Sequence, residues 1–367
     1  MEPVLVKKGK IIIYRVFDVS AEIDLSLVES KAKEGAKRLR LSKYPYMKAL
    51  EFTNPPVSFE LPGFSRDLFG RNTGISVIAK AYDFGALSLA FYVPVPEGSS
   101  FFDIETVAKE LDTDESIDKK ALEYIKQLIN NFGEAIQSPG IKEEYVEDYM
   151  IFLIQELEQK LEVPDFLSRY DPSRLLLYET REISPQTREE TLKHRFSYYP
   201  DDLVIVHLDN AFVIEPSGSS DILDILEFAN AQILELRYYD HVLDKQLSWI
   251  YGELSKRKSV SVFRLREYEK LAKKITEILM ELTEVTEKVD NALKVTEDVY
   301  YARIYRTAMV LFRSRDWELS IKEKLQVITN TYKMIYDEIS TKRGHILEIG
   351  ILLLIAIEIV IILIIEW

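Results

Sequence analysis

The sequence predicts an α+β protein: a mixed α/β head, then long coiled-coil-like helices, then a C-terminal transmembrane helix. Three observations carry this reading. Up to about residue 215, short β-branched and aromatic runs are punctuated by proline and glycine, as strands and turns are. Beyond Glu215-Pro-Ser-Gly-Ser-Ser220 there is no proline, and apolar residues recur at steps of four and three. From Ile349 to Ile365 only Glu358 is charged.

In the head, Lys10–Val19 reads as a strand, and Asp24 is placed to cap a helix bearing Leu25, Val28, Ala32 and Leu39. Pro55, Pro56 and Pro62 break the next stretch into short extended pieces. Ile75–Tyr82 and Ala86–Val93 flank Asp83-Phe-Gly85. Leu87, Leu89, Phe91 and Val93 alternate with Ser88, Ala90 and Tyr92, which predicts a hairpin. Two helices are expected next. One follows Asp112 and Glu115 and carries Leu122, Ile125, Ile129 and Phe132; the other carries Val146, Met150, Leu153, Leu157 and Leu161. Leu175–Tyr178 reads as extended. Ser184-Pro185 opens a short helix through His194, and Leu203–Leu208 pairs with Ala211–Ile214 across Asp209-Asn210. The predicted head is 1–216, either whole or as subdomains 1–115 and 165–216 with helices 116–164 between them.

The predicted helical region is 217–345. A first helix starts near Ser220. A second runs from about Ser261 toward Phe312 with a seam at Ile275, Leu279 and Leu282. A third follows Arg313-Ser-Arg-Asp316, with its seam at Ile321, Leu325, Ile328, Tyr332, Ile335 and Ile339. Sustained 4-3 spacing with Glu and Lys between is the coiled-coil pattern, so these helices must pack on one another or on a second copy.

The anchor is 346–367, with Ile349, Leu354, Glu358, Ile362 and Ile365 in the membrane. Seventeen helical residues from Ile349 reach roughly 26 Å, close to the ~30 Å hydrocarbon core. A buried C-terminal helix is the alternative. Lys342, Arg343 and His345 precede the run, so the bulk of the chain is expected in the cytoplasm of a cell-membrane protein. Trp367 suits the interface. Glu358 costs roughly 2.5–3.5 kcal/mol at mid-bilayer, which points to a helix interface or to protonation.

The formal charge of −14 opposes nucleic-acid binding, and the absence of cysteine excludes disulfides and thiolate chemistry. Nothing at the N-terminus resembles a signal or transit peptide. Heavy use of Glu, Lys and Ile suits a thermophilic prokaryote. No phosphate loop, dinucleotide fingerprint, nucleophile elbow or zinc-protease motif is present, and no cofactor is expected. Asp112, Asp114, Ser116, Asp118 and Glu123 fall in an EF-hand frame, but Ile117 occupies the glycine position, so an acidic helix start is expected instead. Asn230, Arg237, Asp240, His241 and Asp244 form a polar helix face. That face either carries internal pairs or docks the head or a partner.

Several segments together resemble the Rmd (required for meiotic nuclear division) family, in its membrane-anchored prokaryotic branch. They are Val16–Asp24, Ala81–Ser88, Tyr199–Val204, Asn230–Arg237, Arg315–Glu318 and the Leu354–Ile359 run. The resemblance implies a membrane-anchored oligomer and transfers no catalytic residue. The expected function is a homo-oligomeric scaffold or tether at the membrane, without chemistry of its own. Two rivals stand beside it. One is an oligomeric channel using Glu358. The other is an enzyme whose site in the head is a concave pocket of clustered carboxylates or arginines, drawn from among Arg174, Arg181, Arg188 and Arg195.

Overall fold

In a computed structural model, residues 3–32, 36–39, 50–137, 139–141, 145–255, 265–291, 293–295 and 300–365 are described. The chain opens with β1 (Leu5–Asp18), α1 (Leu25–Lys31), β2 (Lys37–Arg38) and β3 (Leu50–Phe52). Then follow β4 (Val57–Leu68), β5 (Arg71–Ala81), β6 (Ala86–Val95), β7 (Ser99–Ser100), α2 (Phe101–Asp112) and α3 (Glu115–Phe132). The middle holds β8 (Val146–Leu157), α4 (Val163–Arg169), α5 (Ser173–Leu176), α6 (Pro185–Thr191), β9 (Arg195–Phe196), β10 (Leu203–Val206) and β11 (Asn210–Ile214). The last elements are α7 (Asp221–Ser255), α8 (Leu265–Asn291), β12 (Leu293–Val295), α9 (Tyr300–Leu311) and α10 (Ser314–Ile365). The fold is therefore α+β, with a sheet head, several helices and a long C-terminal apolar helix.

The chain forms two compact units. The first comprises Met1–Tyr238 and Lys288–Arg315, and the second Tyr239–Glu287 and Asp316–Trp367. The division falls inside α7, between Tyr238 and Tyr239.

The first unit is built on a sheet ordered β2-β4-β5-β6-β1-β8-β11-β10-β9, with β7 also paired to β1. β8 and β11 pair in parallel, while the other pairings along the sheet are antiparallel. Both faces of the central strands are covered. Ile11, Ile13 and Phe17 of β1 join Leu87, Leu89, Phe91 and Val93 of β6 in a core shared with Ile104, Leu111, Ile117, Ile125 and Leu128 of α2 and α3. Strand alternation sends Ile12, Tyr14 and Val16 to the opposite face, and all three are buried. That face meets α7, whose residues 222–236 are buried all round.

The caps form as the sequence implies. Asp24 accepts from the backbone N–H groups of Ser26 and Leu27, and Ser184 caps α6 with Pro185 at its start. At the β5–β6 hairpin, Gly85 adopts φ +107. A side-chain carbon there would collide with the Ser20 carbonyl oxygen. Gly85→Ala is expected to destabilise the head by about 2–4 kcal/mol, from strain plus collision. A lowered urea midpoint with an unchanged slope would show it.

Five expectations are corrected. Residues 146–157 form β8, not a helix. Met150–Ile154 is a continuous apolar run buried between β1 and β11, and a run buried on both faces contains helical spacings by coincidence. The head is consequently not two subdomains split by helices 116–164, because β8 joins both halves in one sheet. Leu175 lies in the short helix α5 rather than an extended segment. The second long helix ends at Asn291; β12 then pairs with β3, and α9 is separate. Its expected start at Ser261 lies outside the described residues. Pro62 does not end an extended piece either: β4 continues through it, with a register shift between Leu61 and Phe64. α2 is a further helix, opened by a capping box between Ser100 and Asp103.

In the second unit, Ile275 and Leu282 of α8 and Ile321, Ile328, Ile335 and Ile339 of α10 are buried, while Leu279, Leu325 and Tyr332 are half-buried. The predicted stripes are thus the packed faces of these helices. Arg343 binds Glu269 at 2.6 Å across them.

Candidate functional site

The apolar end of α10 is the first candidate. Among the described residues one helix is long and apolar enough to cross a membrane, at Ser314–Ile362, and its most apolar stretch is 0% buried. Ile349, Leu354, Ile362 and Ile365 are all exposed, as is Glu358. The helix runs without a break from the buried stripe through Gly344 into this segment. Trp367 lies outside the described residues.

A buried ionic cluster occupies the α7 face of the sheet. Lys80 of β5 donates to Asp224 Oδ1 and to Glu227 Oε2 of α7, each at 2.5 Å. Glu227 is fully buried, and Lys80 and Asp224 nearly so. Tyr14 and Tyr82 lie in the same electrostatic environment, and their hydroxyls have no hydrogen-bond partner among the described residues. Burial pushes the Glu227 carboxyl up, with Lys80 opposing. Burial also works against the Lys80 charge, but the two carboxylates outweigh it and raise the ammonium well above its ordinary value. The sequence carried a signal for this cluster: one lysine inside an apolar strand, and two acids three apart on an otherwise buried helix face.

The polar face predicted on α7 is used within the chain. Asn230 Nδ2 donates to the Leu226 carbonyl. Arg237 pairs with Glu147 of β8, which docks α7 on the head. Lys324 bridges Asp240 and Asp244 at 2.8 Å each, and Ser320 donates to Asp240. His241 lies on the same helix. Burial pushes the Glu147 carboxyl up to about 7 against the pull of Arg237. A carboxyl raised in the folded state stabilises below its unfolded value and loses that contribution as pH rises toward 7. Glu147→Gln is therefore expected to flatten the fall in stability between about pH 4.5 and pH 7, an effect of about 1–3 kcal/mol. Urea unfolding across that range checks it.

The third candidate is a pocket of about 770 Å³ formed by the segment between β8 and β10. Arg174 of α5, Arg188 of α6, Lys193, and Arg195 of β9 line it, with Asp171, Glu182 and Glu189. It gathers three of the four arginines singled out in the sequence. Arg181 is exposed and not among the lining residues, and Lys193 joins the lining in its place. Asp171 is committed: it accepts from Ser173 and pairs with Arg188 Nε at 3.0 Å. Arg174 is held loosely, 3.7 Å from Glu105. An adjoining pocket of about 430 Å³ shares Leu167 and Arg195 and adds Val163, Pro164 and Phe196.

The EF-hand frame carries structural roles instead. Asp114 caps α3 and contacts Arg66, Asp118 binds Arg15 at 2.6 Å, and Glu123 binds Lys120 at 2.7 Å. Among the described residues no group of three acids or histidines could hold a metal ion.

Sheet head, helical unit and exposed apolar helix define the class: an α+β protein with one candidate membrane span. A family model described as "Uncharacterized protein MJ0711, N-terminal domain" matches residues 8–221, more than half of the chain, and the chain belongs to that family. Uncharacterized protein MJ0711 of Methanocaldococcus jannaschii is 25% identical over 222 residues, covering 59% of this chain and 66% of the relative, just under two thirds of its length. No solved structure matches the chain. The matched region ends where α7 begins.

Proposed function

We propose that the protein is a membrane-anchored, cytoplasm-facing scaffold or tether that works as a homo-oligomer. One observation carries this reading: a bilayer-length apolar helix segment, wholly uncovered, continues a helix whose preceding stripe is packed. Exposing that segment to water is costly, and a bilayer removes the cost. Lys342, Arg343 and His345 before the segment favour a cytoplasmic head at the cell membrane. Leu319, Val327 and Met334 are exposed on α10 outside the packed stripe and offer a face to a second copy or a partner protein. The Rmd resemblance agrees with an anchored oligomer and stands as a proposal beside the family match. The channel alternative rests on Glu358 alone and has, among the described residues, one candidate span to build a pore from.

The test is the mass by light scattering of the full chain and of the chain ending at Thr341, in one detergent. Two oligomers of one size place the assembly contacts before the membrane segment. A monomeric truncated chain assigns association to the membrane helices and raises the importance of Glu358. A full-length monomer that binds no partner ends the scaffold reading.

A further inference from the structure

We infer that the pocket between α4, α6 and β9 binds a nucleoside phosphate. The argument starts from uncommitted charge. Of the lining cations, Arg188 is matched by Asp171 and Arg174 is loosely paired, while Lys193 and Arg195 are in no ion pair among the described residues. Two arginine forks and a lysine converging on one cavity suit a phosphate dianion, because guanidinium donors match its oxygens in pairs. The lining carries four cations against three carboxylates, a slight positive excess in a chain of net charge −14.

A bare phosphate would leave the rest unused. Glu182 and Glu189 line the same cavity, and neither is in an ion pair among the described residues. Carboxylates beside a phosphate site repel the phosphate but accept hydrogen bonds from sugar hydroxyls. Arg195 then sits at the junction with the second lobe, where Val163, Pro164 and Phe196 supply an apolar wall and one aromatic face for a base. The two lobes meet at Leu167 and Arg195 and together supply cations, hydrogen-bond acceptors and an aromatic wall, one kind of group for each part of a nucleoside phosphate. The volume lies in the usual range for small-ligand sites.

The test uses the full chain in detergent and isothermal titration calorimetry with AMP, CMP, GMP and UMP, then ribose 5-phosphate, then inorganic phosphate. Nucleotides are expected to bind most tightly, ribose 5-phosphate about tenfold more weakly, and inorganic phosphate weakest. Lys193→Ala/Arg195→Ala is expected to lower nucleotide affinity by about tenfold or more, with an unchanged thermal midpoint because both side chains are exposed. Phe196→Ala is expected to bring nucleotides down toward ribose 5-phosphate. No nucleotide binding at millimolar concentration overturns the inference. So does equal affinity in the double variant, or equal affinity for all the probes.

Discussion

Replacing Lys80 by Met is expected to cost about 3–5 kcal/mol at neutral pH, because it leaves two carboxylates buried without their cation. Asp224 and Glu227 both bond the same ammonium on the α7 face of the sheet. Neither can reach water when Lys80 is lost, because Glu227 is fully buried and Asp224 nearly so. The expected pH dependence separates this cause from simple loss of packing. Without Lys80, the Glu227 carboxyl moves further in the direction in which burial already pushes it. A carboxyl whose folded value exceeds its unfolded one gains stability as pH falls toward the unfolded value. The deficit of Lys80→Met should therefore be large near pH 8 and shrink toward about pH 5. Removing all three charges, as Lys80→Met/Asp224→Asn/Glu227→Gln, should recover most of the loss. Urea unfolding of the detergent-solubilised full chain reads each variant. A Lys80→Met cost below about 1 kcal/mol, the same at both pH values, would mean that these carboxylates are solvated and that the cluster does not fix α7 to the sheet.

That cluster marks where the sequence could be read and where it could not. The β5–β6 hairpin was legible because one face of β6 alternates strictly, Leu87 to Val93 against Ser88 to Tyr92. The same alternation that puts leucines on the α2–α3 core puts Ser88 and Tyr92 on the α7 side. What those polar positions face is set by α7, more than 130 residues later in the chain, and no local pattern reports that pairing. β8 failed for a related reason: only its two neighbours in the sheet make Met150–Ile154 a strand, and they come from opposite ends of the head. The packed stripe on α10 was legible because a helix states its face within a few turns. The pocket was half legible. Its arginines stood out by type, but the turn after α5 that excludes Arg181 and admits Lys193 is tertiary.

The full chain is expected to sediment with membranes and to resist alkaline carbonate, while the chain ending at Thr341 stays in the soluble fraction. The magnitudes decide this. Ile349–Ile365 contains fourteen Ile, Leu and Val residues. At about 0.3–0.6 kcal/mol each near the membrane centre they favour insertion by about 4–8 kcal/mol, against about 2.5–3.5 kcal/mol for Glu358. Insertion wins, but by a margin that one more charge would erase. Ile355→Asp should therefore release a large part of the protein from the membrane, and Glu358→Leu should hold it more firmly. Because the exposed run begins only after Arg343, neither change touches the packed stripe that ends at Ile339, and both variants should keep the thermal midpoint of the head. A truncated chain that still sediments with membranes would move the anchor elsewhere. A full chain that remains soluble would require a second copy to cover the apolar helix, and its mass would then have to be that of an oligomer.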